Sequence, residues 1–149
     1  MNAPLKILAA AMCVLLLGLP AAQADEGVTD VFIQLGTARN ELTIRPREVT
    51  LEVGALYRFV VGNSSQSTHI VAAPELRLKV WTIGMMYWTS TPDDPPLVFP
   101  EKITLYPGDM MVWIFMPVVE GTYKFGCDDS VHAAAGMHTT IKVISGEML

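Results

Sequence analysis

Short segments of alternating apolar and polar residues, each ended by glycine or proline, limit the fold of this chain most strongly. Residues 49–53 alternate in this way, and so do residues 121–127 and 138–145. A period of two is typical of strands with one buried face. Gly54 and a turn at 107–109 interrupt the pattern. Short strands at such spacing predict an all-β fold, an antiparallel β-sandwich or barrel.

The segment 74–100 does not follow this pattern. It contains Trp81 and Trp88, a Met-Met-Tyr cluster at 85–87, and a proline-rich bend at 91–96. We expect it to form either one short helix or a meander packed across the sandwich. The two methionines could also form an accessory Cu(I) site, since thioethers suit Cu(I), but such pairs more often fill gaps in a core.

The first 24 residues have the pattern of an export signal. Lys6 precedes an apolar run from Ile7 to Leu19, and Ala22-Gln23-Ala24 is a small-x-small cleavage site. The run is short for a membrane span, which needs about 20 residues. We therefore expect cleavage after residue 24 and a single domain at 25–149, without stable membrane insertion; an uncleaved anchor is the alternative.

The expected mature chain is mildly acidic. Without Lys6 it has nine basic residues against fifteen acidic ones, a formal charge of −6. Nucleic-acid phosphates are bound by clustered Lys and Arg. We therefore expect no nucleic-acid partner.

One stretch, "GTYKFGCDDSVHAAAGMHTT" at 121–140, gathers most of the residues with ligand chemistry. It contains Cys127, the only cysteine left after cleavage, together with His132, Met137 and His138. Exported proteins favour paired cysteines. A single cysteine is therefore buried and inert, bonded to another chain, or bound to a metal as thiolate, and the neighbouring His and Met favour the metal.

The alternation in this stretch places Cys127 at the inward end of a strand, in one row with Tyr123 and Phe125. A loop of small residues follows and can bring His132 and Met137 to the same point. A cysteine nucleophile paired with His132 would leave Met137 unexplained.

These ligand types suit copper best. Thiolate and thioether are soft ligands that favour copper, and blue-copper sites use two His and one Cys with a weak axial Met. Zinc is disfavoured because Met is not among its usual ligands. His69, at the end of a strand that enters a loop, is the better second histidine. His138 is left out because it follows Met137 and should point to the opposite face.

With these residues the chain resembles the cupredoxins, which are small type 1 blue-copper proteins of the plastocyanin–azurin superfamily. The matching pieces are "RPREVTLEVGALYRFVVGN" before His69, "LYPGDMMVWIF" in the middle, and "GTYKFGCDDSVHAAAGMHTTIKV" at the end. They cover most of residues 45–143 apart from 74–100. The C-x4-H-x4-M motif after a G-x-Y-x-F-x-C strand, with N-x5-H upstream, is a fairly specific combination.

The resemblance implies a Greek-key sandwich that holds one mononuclear copper ion, with His69, Cys127 and His132 as equatorial ligands and Met137 as the axial one. The ending is closest to that of bacterial periplasmic cupredoxins. In many relatives the residues after the first His and the Cys join the two ligand segments by hydrogen bonds. Ile70 occupies the first of these positions and has no side-chain donor.

For function, the resemblance implies a periplasmic one-electron carrier that cycles between Cu(II) and Cu(I) and is not an enzyme. Redox partner proteins would dock transiently around the His132 loop, and the chain would be a monomer. The alternative is a periplasmic copper-binding protein for copper tolerance and homeostasis. A metal-free interaction module is the third hypothesis.

Overall fold

Ten strands and two short helical segments make up the described part, residues 27–88 and 99–146, of this computed structural model. The predicted signal segment at 1–24 and the bend at 91–96 lie outside the described residues. No helix in the described ranges is long and apolar enough to cross a membrane. The strands are β1 (Thr29–Leu35), β2 (Ile44–Arg45), β3 (Glu48–Glu52), β4 (Tyr57–Asn63), β5 (His69–Ala72), β6 (Val80–Trp88), β7 (Ile103–Leu105), β8 (Met110–Pro117), β9 (Gly121–Cys127) and β10 (His138–Ile144).

The strands form two five-stranded sheets. The first has the order β2-β1-β4-β8-β6, and the second has the order β3-β10-β9-β5-β7. The all-β sandwich is therefore confirmed, and in the described part of the chain the sheets do not close into a barrel.

Most strand pairs are antiparallel, as expected, but each sheet also contains one parallel pair. Strand β1 runs parallel to β4, and β3 runs parallel to β10. The chain crosses from the first sheet to the second between β2 and β3 and returns with β4. A strand that pairs after such a crossover can lie parallel. Alternation of side chains has the same period in both directions, so it does not distinguish them.

Aromatic side chains fill the space between the sheets. Phe59, Trp113, Phe115 and Phe125 are fully buried, and Phe59 makes edge-on contacts with the other three, at centroid distances of 4.8–6.2 Å. Edge-to-face pairs add about 0.5–1.5 kcal/mol each beyond the burial of their area. Phe125 lies two residues before Cys127 on β9, so this cluster supports the strand that carries the cysteine.

Within the irregular segment, the structure describes a short 3-10 helix at Leu76–Leu78, as one of the two expectations allowed, and then the edge strand β6; residues 89–98 lie outside the described residues. A bulge at 82–84 interrupts its pairing with β8. Met85 points into the core, whereas Met86 is 41% exposed. The two methionines therefore lie on opposite faces of the strand. Met85 packs in the hydrophobic core, which is the more frequent role of methionine pairs.

Candidate metal centre

Two neighbouring strands and the loop after them position the predicted ligand residues. His69 is the first residue of β5 and Cys127 is the last residue of β9. These strands are antiparallel neighbours in the second sheet. Helix α1 (Ser130–Ala134) carries His132, and Met137 lies between α1 and β10. Residues far apart in sequence thus meet at one end of the sandwich.

The donor atoms of His69, Cys127 and His132 converge. The two histidine Nδ1 atoms are 3.1 Å apart, and the Cys127 Sγ lies 3.4 Å from the Nδ1 of His132. All three ligand atoms lie within 4.8 Å of one another. In the part of the chain that the structure describes, this is the one group of His, Cys and acidic side chains close enough to share a metal ion.

Exposure differs sharply across this group. His69 is fully buried and Cys127 is 6% exposed, whereas His132 is only half-buried. Burial lowers the pKa of His69, and the nearby His132 lowers it further, while Asp129 acts in the opposite direction. His69 therefore favours its neutral form, which is the form that binds a metal.

Asp129 fixes the position of His132. Its carboxylate accepts hydrogen bonds from the backbone N–H groups of Val131 and His132, at 3.0 and 3.1 Å, and so caps α1. The N–H of His132 is the main cause of the lowered pKa of Asp129. Asp128, its neighbour, forms an ion pair of 2.7 Å with Lys102. Asp129 therefore shapes the loop that carries His132.

Backbone hydrogen bonds place Met137 beside the other residues. Its N–H donates to the carbonyl of His132 at 3.1 Å, and its carbonyl accepts from the N–H of Cys127 at 3.0 Å. Gly136, with φ of 76°, turns the chain back in the left-handed region that favours glycine. The guanidinium of Arg47 holds the Gly136 carbonyl at 2.7 Å. The Met137 side chain is fully buried.

The close approach of β9 to β10 depends on Gly126. A β-carbon there would lie 2.5 Å from the carbonyl oxygen of Met137 and 2.6 Å from the Cα of His138. Only glycine allows this spacing without a shift of the backbone. The residue before the cysteine therefore controls how near Met137 can come.

A buried polar network holds the far side of the His69 ring. The Ser65 Oγ lies 2.9 Å from Nε2 of His69, and it donates to Oδ1 of Asn63 at 2.8 Å. Asn63 and Ser65 are each 3% exposed. In the sequence, Asn63 stands out only as part of the N-x5-H spacing, and Ser65 does not stand out. The sequence signal that could have indicated the network is an Asn at a strand end with a Ser two residues later, where that Ser lies four residues before the histidine.

The two ligand segments are joined without a side-chain donor at Ile70. The carbonyl of Ile70 accepts a hydrogen bond of 2.7 Å from the N–H of Asp128. The backbone therefore joins the residues that directly follow His69 and Cys127.

His138 lies outside the group of three. It is half-buried at the start of β10 and pairs with Gly126. Together with Lys124 and Ala133 it lines an open cavity of about 230 Å³ that Cys127 also borders.

Comparisons with known proteins support the fold described above. No protein-family model and no curated protein matches the chain. Among solved structures, auracyanin from Roseiflexus castenholzii is 21% identical, with a TM-score of 0.53 over 79% of this chain and 99% of that one. Auracyanin A from Chloroflexus aurantiacus, described as a "blue" copper protein, is 16% identical, with a TM-score of 0.54 over 79% of this chain and 100% of its own.

Larger copper enzymes contain the same fold. A multicopper oxidase from Pediococcus acidilactici is 14% identical, with a TM-score of 0.59 over 95% of this chain but 32% of the oxidase. The molecule is thus a two-sheet β-sandwich with a His–Cys–His group at one end. Its fold is the cupredoxin fold, as the sequence predicted. Identities this low establish the fold alone.

Proposed function

We propose that this chain is a type 1 copper protein that carries single electrons. One copper ion would be held by His69, Cys127 and His132, with Met137 as a weak axial ligand. The observation that carries the proposal is the convergence of the His, Cys and His donor atoms within 4.8 Å at one end of a cupredoxin fold. The printed description of auracyanin A as a "blue" copper protein supports it.

The donor set fits copper better than other ions. Thiolate and thioether are soft ligands, and two imidazoles complete the set found in blue-copper sites. Zinc sites do not usually include Met. In the described part of the chain the group has no carboxylate member, so it does not suit Mg²⁺ or Ca²⁺ either, which bind oxygen.

Copper would supply the one-electron change between Cu(II) and Cu(I), and the protein would keep its ligands in one arrangement during that change. His69 is held by Ser65, Cys127 by the pairing of β9 with β5, and His132 by the Asp129 cap. Because each of these residues is held by contacts that do not involve a metal, the arrangement should differ little between Cu(II) and Cu(I). A small rearrangement favours rapid electron exchange.

His132 is the expected point of electron entry and exit. It is the only half-buried member of the three, while His69 and Cys127 are buried. Val131 is 66% exposed beside it, and Ala133–Ala135 are exposed as well. This small apolar surface suits a transient redox partner protein, since weak redox encounters use small interfaces.

The proposed role is that of a carrier rather than an enzyme. Some structural neighbours are a multicopper oxidase and copper nitrite reductases. The described residues of this chain offer one group for a metal, and that group is buried except at His132. This supports electron transfer without a bound substrate. We further propose that the chain is exported to the periplasm through its N-terminal segment and acts as a monomer.

Copper loading tests the proposal. The purified protein is given one equivalent of Cu(II), and its visible spectrum is recorded. We expect stoichiometric binding and an intense band, because a thiolate ligand gives strong charge transfer to Cu(II). Cys127→Ser should abolish the band. Copper that binds to the wild-type protein without the band would contradict the proposed ligand set.

A further inference from the structure

The orientation of the Asn63 side chain is fixed by two backbone carbonyls. Its Nδ2 lies 2.8 Å from the carbonyl oxygen of Ser67 and 2.9 Å from that of Leu105. Carbonyl oxygens only accept hydrogen bonds, so the amide nitrogen must face them. Oδ1 of Asn63 therefore faces Ser65 as a pure acceptor.

The Ser65 hydroxyl has one hydrogen and two pure acceptors near it. These are Oδ1 of Asn63 at 2.8 Å and the carbonyl oxygen of Ser67 at 3.1 Å. If the hydrogen pointed at His69 instead, Oγ and Oδ1 would face each other at 2.8 Å with no hydrogen between them, which is unfavourable. The hydrogen therefore goes to one of the two oxygens, and none remains for His69. Toward Nε2 of His69, at 2.9 Å, the Ser65 Oγ can act only as an acceptor.

The hydrogen between Ser65 and His69 must then belong to Nε2. A neutral imidazole carries one hydrogen, so Nδ1 keeps its lone pair. Nδ1 is the atom that faces His132 and Cys127. We propose that Ser65, oriented by Asn63, is a positioning residue that holds His69 in the Nε2–H tautomer. The Nδ1 atom is then ready to bind a metal before any metal is present. That His69 is a metal ligand rests on the proposed function.

Gly36 covers the hydrogen bond between Ser65 and His69. It lies just after β1 with φ of 63°, and a β-carbon there would lie 2.5 Å from the Cβ of Ser65 and 3.3 Å from Nε2 of His69. The backbone of Gly36 thus packs directly over the hydrogen bond. Hydrogen bonds are stronger where water is excluded, and the imidazole cannot exchange Ser65 for solvent.

The network should also tune the metal. A hydrogen bond from the second ring nitrogen raises the basicity of a ligating histidine and fixes its orientation. A more basic ligand favours Cu(II) over Cu(I). Loss of the Ser65 hydroxyl should therefore weaken Cu(II) binding and raise the reduction potential.

The first test uses the metal-free protein and nitrogen-15 NMR of its imidazoles at neutral pH. In the wild type we expect the Nε2–H tautomer of His69, with an Nε2 proton that exchanges slowly with water. Ser65→Ala should lose this slow exchange. Ser67→Ala, which leaves the backbone carbonyl in place, is the matched control and should retain it, as should Ser65→Thr, which keeps the hydroxyl.

Two results would overturn the proposal. One is a wild-type His69 in the Nδ1–H tautomer, which decides the question even if Ser65→Ala fails to fold. The other is a folded Ser65→Ala protein whose Nε2 proton is as protected as in the wild type. Neither result depends on copper.

A second test uses the copper-loaded protein. Ser65→Ala should keep the intense band, bind Cu(II) about ten- to a hundredfold more weakly, and show a higher potential than Ser67→Ala. An unchanged affinity and potential would contradict the tuning role. A wild-type protein that never develops the band would instead refute the proposed function, while the tautomer result would still stand.

Discussion

The substitution Gly126→Ala tests whether the close approach of β9 and β10 shapes the metal site. The new β-carbon would lie 2.5 Å from the carbonyl oxygen of Met137, whereas real contacts of this kind are not found below 3.0 Å and ordinary ones begin at 3.4 Å, so the two must separate by at least 0.5 Å. The Cα of His138 is a second obstacle at 2.6 Å. Both are backbone atoms, so no side-chain rotation relieves the clash.

The expected loss of stability follows from two opposed effects. Overpacking a well-packed region costs about 1–3 kcal/mol. Because the new β-carbon would clash with backbone atoms, we expect the cost of Gly126→Ala to lie in the upper part of this range. The lower entropy of alanine in the unfolded chain offsets about 0.4–1 kcal/mol. We therefore expect the free energy of unfolding to fall by about 1–2 kcal/mol.

Urea unfolding of the metal-free protein measures this change, with Gly62→Ala as the matched control. A β-carbon at Gly62, on β4, would meet no atom within 4 Å. That variant should be as stable as the wild type or slightly more so. In the copper-loaded Gly126→Ala protein, the visible band should shift, because Met137 moves relative to Cys127. Equal stability of the two variants, with an unshifted band, would refute the reasoning.

Three further predictions concern the ligand loop and the core. Met137→Leu should keep copper but raise its reduction potential by weakening the axial field; a redox titration with an unchanged potential would argue against Met137 as a ligand. Asp129→Ala should weaken copper binding in a competition titration, because His132 loses its capped helix, whereas Asp129→Asn keeps an acceptor and should bind nearly as well; equal loss in both would exclude the cap as the cause. Phe59→Ala should lower the free energy of unfolding by about 3–5 kcal/mol, and a loss below about 1 kcal/mol in urea would contradict its central place in the aromatic core.

Much of the fold could be predicted because alternation reports burial directly. Strands β3, β9 and β10 lie where the period of two placed them, and Cys127 ends the buried row that the sequence indicated. Strand β6 was missed because Trp81, Ile83, Met86 and Trp88 make its exposed positions apolar, and a bulge breaks its register. Its sequence therefore shows no alternation.

The sequence indicates the candidate ligand residues but not the contacts that support them. Cys127, His132 and Met137 are close in sequence, and their chemistry makes them candidates. The network behind His69 joins Asn63 to a carbonyl 42 residues away, on Leu105. Such partners become neighbours only when the sheets form, so no local pattern reveals them.

The reversible redox cycle of the copper-loaded protein tests the central claim most directly. The protein with one equivalent of Cu(II) is reduced, reoxidised and followed through its visible band in a potentiometric titration. We expect the band to bleach with one electron per protein, to return fully on oxidation, and to be absent from Cys127→Ser. Copper that remains Cu(I) after reduction, or a band that never forms, would contradict electron transfer and favour copper capture instead.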